Sequence, residues 1–156
     1  MLKDQSVIYH RRSFYIYASQ RFEGKGEAGT EAVFFRTTDF RNYDQLFDED
    51  ITGGSPHVVS IDGTWHVTTQ RSHGGDSRRI YHSVSSDAEN WREAKEIAPE
   101  LRSHEVHIDG ALARVDDGHY YLTYKERVGQ LFYVARSIGA ALDGRWHEPN
   151  PCERGS

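Results

Sequence analysis

Two carboxylates that face each other across a pocket can divide acid and base work on one bond. Like charges in a shared site push their pKa values apart, so each can take a different role. In this sequence Asp4 and Asp109 are the candidates for such a pair, with Ser55 between them. They emerge when internal repeats are used as a ruler. Residues 7–17, 58–68 and 112–124 each read as a short apolar run, a polar turn and a second run opened by an aromatic. Phe14, Trp65 and Tyr120 correspond, at spacings of 51 and 55 residues. Counting back three positions from Val7, Val58 and Leu112 gives Asp4, Ser55 and Asp109. A single Asp at a strand start often only shapes a turn. Two at matched positions of a repeat point to shared work on a glycosidic bond.

The elements that must position them are strands. Asp62-Gly63 and Asp117-Gly118 are strong hairpin turns between apolar runs. A second repeated piece covers residues 32–39 with Tyr43, and 79–87 with Trp91; Asp39 and Asp87 each precede the aromatic by four residues and lie 48 apart. The third copy spans residues 131–137 and closes at Trp146 after a longer loop. Three strands and a fourth near the closing aromatic make a four-stranded antiparallel blade with a period near fifty. A sandwich also gives short strands, but does not require three matched copies. Helical periodicity is poor, with short candidates only at residues 98–101 and 137–142. The expected fold is all-β, a β-propeller of four-stranded antiparallel blades. The repeats fall at about 4–50, 51–99 and 104–150 of one partial domain over residues 1–156. Propellers close with four to eight blades, so three would leave an open arc. The expectation is a piece of a longer protein, or a subunit completed by missing blades from another chain. In a propeller the innermost strands line the axis, which places Asp4, Ser55 and Asp109 at the mouth of the central funnel. Tyr43, Trp91 and Trp146 are expected to pack between blades, and Trp65, with its equivalents Phe14 and Tyr120, in the core.

Composition narrows the class. The 156 residues carry 19 Lys and Arg against 24 Asp and Glu, a formal charge of −5, which lacks the basic footprint of a nucleic-acid binder. Arg11-Arg12 and Arg78-Arg79 read as solvated strand or turn positions. Aromatics make up 12% of the chain, which favours strands. No apolar run approaches the roughly 20 residues that span a bilayer, so no membrane partner is expected. The opening residues lack a signal-peptide core; the default expectation is cytoplasmic, or secreted if the gene starts upstream. Cys152 is the sole cysteine, which excludes an internal disulfide framework.

Several further residues are candidate sugar contacts. His57 follows Pro56 near the same mouth, and His107 shares a strand face with Asp109. Phe22 and Arg71, with Arg21 and His73, lie in or beside two long polar loops that could shape a subsite. The run from His104 to Asp109 carries His, Glu, His and Asp, but a metal is the weaker reading and none is assigned. Gly24-Lys25-Gly26-Glu27-Ala28-Gly29 has dinucleotide-fingerprint spacing in the wrong context, between strands.

The ordered fragments Asp4-Gln5-Ser6-Val7-Ile8, Ser55-Pro56-His57-Val58-Val59, Ser86-Asp87-Ala88-Glu89-Asn90-Trp91 and Ile108-Asp109-Gly110-Ala111 together resemble the five-bladed β-propeller glycosidases. That group includes glycoside hydrolase family 43 (arabinanases, xylosidases, arabinofuranosidases) and the related invertases. The resemblance covers the first three blades. It implies that Asp4 is the catalytic base and that Asp109 tunes pKa and orients the substrate. It also implies an acid Glu on a fourth blade, beyond Ser156. Gln5 and Gly110 stand where the family usually has Pro. The implied reaction is hydrolysis of an arabinose- or xylose-type glycoside, inverting or, in the invertase-like branch, retaining. The alternative is a non-catalytic carbohydrate-binding or interaction propeller. No cofactor is implied, a structural calcium in the complete propeller aside.

Overall fold

The structure is a computed structural model, and residues 1–21, 30–46, 51–72, 78–99, 107–115, 117–126, 132–142, 144–147 and 150–151 are described. These residues form three antiparallel sheets of four strands each. Blade one holds β1 (Leu2–His10), β2 (Ser13–Arg21), β3 (Thr30–Thr37) and β4 (Asp44–Leu46). Blade two holds β5 (Gly54–Ile61), β6 (Thr64–Ser72), β7 (Arg78–Ser85) and β8 (Lys95–Glu96). Blade three holds β9 (His107–Arg114), β10 (Tyr120–Glu126), β11 (Phe132–Arg136) and β12 (Asn150–Pro151). Every sheet runs in chain order, so each is an up-and-down meander. The first strands sit side by side: β5 packs on β1, and β9 packs on β5. That is propeller geometry, with three blades around a common hub.

The hairpins form where the sequence permits left-handed backbone. Asp62 (φ 50°) and Gly63 (φ 78°) make the tight turn of β5–β6. Arg11 (φ 48°) and Arg12 (φ 65°) adopt the same conformation in β1–β2 without a glycine.

The core lies between blades rather than within them. One cluster joins Tyr15, Tyr17 and Phe34 of blade one to Val58, Val67 and Trp91 of blade two. The other joins Ile61, Ile80 and Ile97 of blade two to Leu112, Leu122 and Trp146 of blade three. Period-two alternation produces this, because every second residue of β2 and β6 points to the neighbouring sheet. Tyr17 meets Trp91 edge-on at 5.9 Å, and its hydroxyl donates to the Ala88 carbonyl at 2.6 Å. The Tyr15 hydroxyl donates to Glu89 at 2.7 Å, and Arg36 pairs with the same carboxylate at 3.0 Å. Burial, and then the Glu89 bond, raise the Tyr15 pKa.

Each closing aromatic packs on the preceding blade. Trp91 (6% exposed) and Trp146 (4%) are therefore buried, but Tyr43 is 49% exposed. Tyr43, expected to pack between blades, packs within its own blade among the described residues: it meets Phe35 edge-on at 6.5 Å, and its hydroxyl donates to the Phe40 carbonyl at 2.9 Å. Val7 and Tyr9 are exposed too, and Tyr9 rests on Phe14 at 4.9 Å. Phe14, Trp65 and Tyr120 are only partly buried: Trp65 and Tyr120 flank the clusters, and Phe14 packs on Tyr9 and Phe40.

Of the short helical candidates, 137–142 forms no helix among its described residues, while in 98–101 Pro99 opens a 3₁₀ turn and 100–101 lie outside the described residues. Ala98 has a left-handed φ of 51°, and the Ile138 amide is drawn across to the Arg145 carbonyl at 2.7 Å. Arg79 is not solvated as expected; its side chain is largely buried with Glu96 at 3.7 Å.

Candidate functional site

Each innermost strand breaks register once, near its start. In β1 three steps from Lys3 to Ser6 face two on β2; β5 does the same from Gly54 to His57, and β9 from Ile108 to Ala111. The extra residues include Asp4, Ser55 and Asp109. All three have left-handed backbone, with φ of 53°, 48° and 56°. A bulge of this type bends the strand and re-aims one side chain. The same strained device therefore recurs in each blade at the same point, and non-glycine left-handed residues cluster where function over-determines them.

The bulges are latched from the preceding blade. The Ser55 amide donates to Ser19 Oγ at 2.6 Å, and the Asp109 amide donates to Gln70 Oε1 at 3.3 Å. Ser19 and Gln70 are themselves equivalent, 51 residues apart on β2 and β6. The Val58 amide donates to Ser6 Oγ at 3.1 Å, and Thr68 Oγ1 donates to the Gly110 carbonyl at 2.5 Å. Gly110 has a packing reason. A Cβ there would lie 2.7 Å from Ile80 Cδ1, so the position after Asp109 takes no side chain in this packing.

Asp4, Ser55 and Asp109 all line one hub cavity of about 230 Å³. Ser55 Oγ donates to Asp4 Oδ2 at 3.3 Å, and Lys3 Nζ lies 3.5 Å from the same oxygen. Gln70 Oε1 fixes the backbone beneath Asp109, from a side chain that also lines the cavity. Asp4 and Asp109 are exposed to solvent, while Ser55 is buried. The arrangement offers two carboxylates of ready access, a hydroxyl between them and a frame fixed by backbone bonds.

The other sequence candidates sit elsewhere. His57 is half-buried and does not line this cavity; burial pushes its imidazole below the ordinary value. Arg71 donates to the Thr52 carbonyl at 3.3 Å and stacks its guanidinium over Tyr81 at 4.6 Å, also outside the cavity wall. His107 opens β9, two positions before Asp109. Phe22, His73, His104 and the Gly24–Gly29 loop lie outside the described residues. Among the described residues, no group of three or more His, Cys, Asp or Glu is placed to hold a metal ion.

Four cations on the cavity wall, Lys3, Arg21, Arg78 and Lys125, were not assembled from the sequence. They come from strand ends far apart in the chain, and only the repeat carried a signal: Lys125 stands 55 residues after Gln70, at the latch position of blade three. A larger hollow of about 590 Å³ lies between blades two and three, lined by His82, Arg92, Glu93, Lys95 and Tyr120. Its charged residues, Arg92, Glu93, Lys95 and Glu96, alternate in sign along one stretch of blade two, whereas the carboxylates of the smaller hub cavity come from two different blades, so the hub cavity is the better candidate site. His82 bonds His66 ring to ring at 2.9 Å and is pushed down to about 4 by burial and by that neighbour.

Three bulged blades, their innermost strands side by side around one hub, define a partial β-propeller. Solved structures share it. The chain superposes on a thermostable family-43 glycoside hydrolase with a TM-score of 0.70 at 14% identity, covering 99% of this chain and 54% of that one. An α-L-arabinofuranosidase from Podospora anserina, solved with cellotriose, gives 0.73 at 16% identity, over 96% of this chain and 50% of that one. The arabinanase of Bacillus subtilis gives 0.59 at 14% identity, over 88% and 66%. The chain thus carries the family-43-like propeller fold, and it spans about half the length of the first two of these structures and 66% of the third. No family model and no curated protein matches the sequence.

Proposed function

We propose that the hub cavity binds a glycosidic bond of an oligo- or polysaccharide, and that Asp4 is the general base that activates water there. Asp109, opposite it on blade three, would orient the sugar and influence the protonation of an acid supplied by a further blade. The observation that carries this reading is the convergence of Asp4, Ser55 and Asp109 on one cavity from three identical strained bulges. Hydrolysis then needs one group to take a proton from water and another to give one to the leaving oxygen. The two carboxylates here supply the first role and support the second. Missing blades, from a longer chain or another subunit, would close the ring; the exposed Val7, Tyr9 and Tyr43 on the open face of blade one suit such a partner.

A second reading has its own support. Among the described residues lining the cavity, Asp4 and Asp109 are the only carboxylates, which suits a propeller that binds sugar without cleaving it. One experiment separates the two. Arabino- and xylo-oligosaccharides, the substrate classes of the similar enzymes, are incubated with the propeller closed by its missing blades and with the Asp4→Asn variant of that propeller, following both binding and released sugar. Turnover that falls by about 10²–10⁴ in the variant while binding persists supports the base. Binding by the closed propeller with no released sugar supports the second reading.

A further inference from the structure

Ser19 and Gln70 stand at matched latch positions of blades one and two, and they are not equal to the task. Ser19 is fully buried, and its hydroxyl accepts the Ser55 amide at 2.6 Å. One acceptor therefore suffices to hold a bulge. Gln70 does the same for Asp109 through Oε1, and it brings an amide nitrogen that the latch does not need. Because the Asp109 N–H must meet an oxygen, the orientation of the amide is fixed, with Nε2 as its other arm. Gln70 is 8% exposed and lines the hub cavity, yet Nε2 makes no hydrogen bond among the described residues. Nor is Nε2 sealed from solvent, since it is not one of the fold's enclosed polar atoms without a partner. Ser55 spends its own proton on Asp4 at 3.3 Å. Asp109, on the same wall, is exposed, and its carboxylate makes no bond among the described contacts.

A carboxylate only accepts and an amide nitrogen only donates, while a hydroxyl does both. We propose that Gln70 and Asp109 together read one hydroxyl of the sugar at the hub, which accepts from Gln70 Nε2 and donates to Asp109. This rests on the carbohydrate reading above and names a residue that decides which sugar fits. The latch makes the pair one unit, since the side chain that donates to the hydroxyl also holds the backbone of the residue that accepts from it. A sugar lacking that hydroxyl leaves a largely buried donor facing a carbon, which costs more than the lost bond alone.

Calorimetric titration of the propeller closed by its missing blades tests it. The probes are methyl β-D-xylopyranoside, methyl α-L-arabinofuranoside and the monodeoxy forms of each. The expected result is that one monodeoxy form of the better-bound glycoside binds at least about tenfold more weakly than its parent. Gln70→Glu keeps an oxygen for the Asp109 amide and removes the donors. The sugar hydroxyl, its one proton given to Asp109, has nothing to offer the new carboxylate. That variant should shrink the deoxy loss to within about threefold at this hydroxyl and leave the losses at the others as they were. Gln70→Met removes latch and donors together, and should show the same shrinkage on top of a uniform weakening. Near-UV circular dichroism checks the fold, and either variant alone decides if the other is altered. A deoxy loss that survives in full, or the absence of any discriminating hydroxyl in the parent protein, would make Gln70 a latch only and overturn the proposal while sparing the carbohydrate reading. No binding by any of the sugars would bring down both.

Discussion

Two features of this chain repeat blade by blade, and they repeat differently. At the rim, the turns after the third strands of blades one and two keep one bonding logic. Ser85 Oγ accepts the amides of Asp87 and Ala88, and Asp87 in turn accepts those of Glu89 and Asn90. Thr37 and Asp39 do the same for Asp39, Phe40, Arg41 and Asn42. The strained residues of these turns, Phe40 (φ 55°) and Ala88 (φ 64°), are enclosed by those bonds. At the hub the backbone repeats but the chemistry does not: the same left-handed position carries Asp, Ser and Asp, and among the described contacts only Asp4 meets a side chain of its own bulge, the Lys3 ammonium at 3.5 Å. Strain that local bonds explain is architecture. Strain held by a neighbouring blade, and left with solvent-facing carboxylates, marks the candidate site.

The largest effect that can break this contrast concerns the rim. Trp91 fills the layer between blades one and two, whereas its equivalent Tyr43 is half exposed. Trp91→Ala should cost about 3–5 kcal/mol in urea unfolding, and Tyr43→Ala under about 1 kcal/mol. Equal losses would mean that rim equivalence, and with it the blade alignment, is misassigned.

Much of this architecture was legible because period and alternation are local signals. Asp62-Gly63 announced its hairpin, and Phe14, Trp65 and Tyr120 announced the period. The hub residues were legible only as a count from that period. Nothing in Asp4, Ser55 or Asp109 as residue types declares a positive φ; the bulge follows from three-dimensional pairing, where Lys3 and Ser6 must both find partners on β2. The cation set was illegible for a similar reason. Lys3, Arg21, Arg78 and Lys125 meet only because strand ends from all three blades converge on one axis. Tyr43 misled because equivalence in sequence does not guarantee an equivalent neighbour.

A smaller effect tests the rim turns themselves. Backbone amides and the Asn42 side chain hold the Asp39 carboxyl down to about 2, and Asn90 and Glu89 hold Asp87 well below the usual carboxylate range. Both groups are depressed relative to an unfolded value of 3.8, so their stabilisation is present above that value and is lost as pH falls through about 2. His82, lowered from 6.5 to about 4 by burial, must bind its proton at higher pH, so its loss of stability precedes theirs on acidification. Asp87→Ala should cost about 1–2 kcal/mol at neutral pH, because several amides lose an ionised acceptor that is itself partly in water. It should also flatten the stability curve below pH 3.8, as followed by far-UV circular dichroism. Blade three has Gly139 at the matched position, where Ser137 Oγ donates to the Gly139 carbonyl at 2.6 Å instead, so Gly139→Ala should leave that acid limb unchanged.

The smallest effect has the opposite sign and bears on the hub. A left-handed Asp costs roughly 1–2 kcal/mol in backbone energy, and glycine escapes that cost at the expense of greater freedom in the unfolded chain. Asp109 makes no side-chain bond among the described contacts, and its amide bond to Gln70 survives loss of the carboxylate. Asp109→Gly should therefore raise stability by about 0.5–1 kcal/mol while weakening sugar binding or turnover. Gly110→Ala, one residue on, supplies the control: its Cβ would press on buried Ile80, so stability should fall by about 1–3 kcal/mol. A protein that keeps a destabilising Asp beside an indispensable glycine is retaining the carboxylate for something other than folding. Should Asp109→Gly destabilise instead, the bulge needs that side chain for its own structure, and the hub would fall into the same class as the rim.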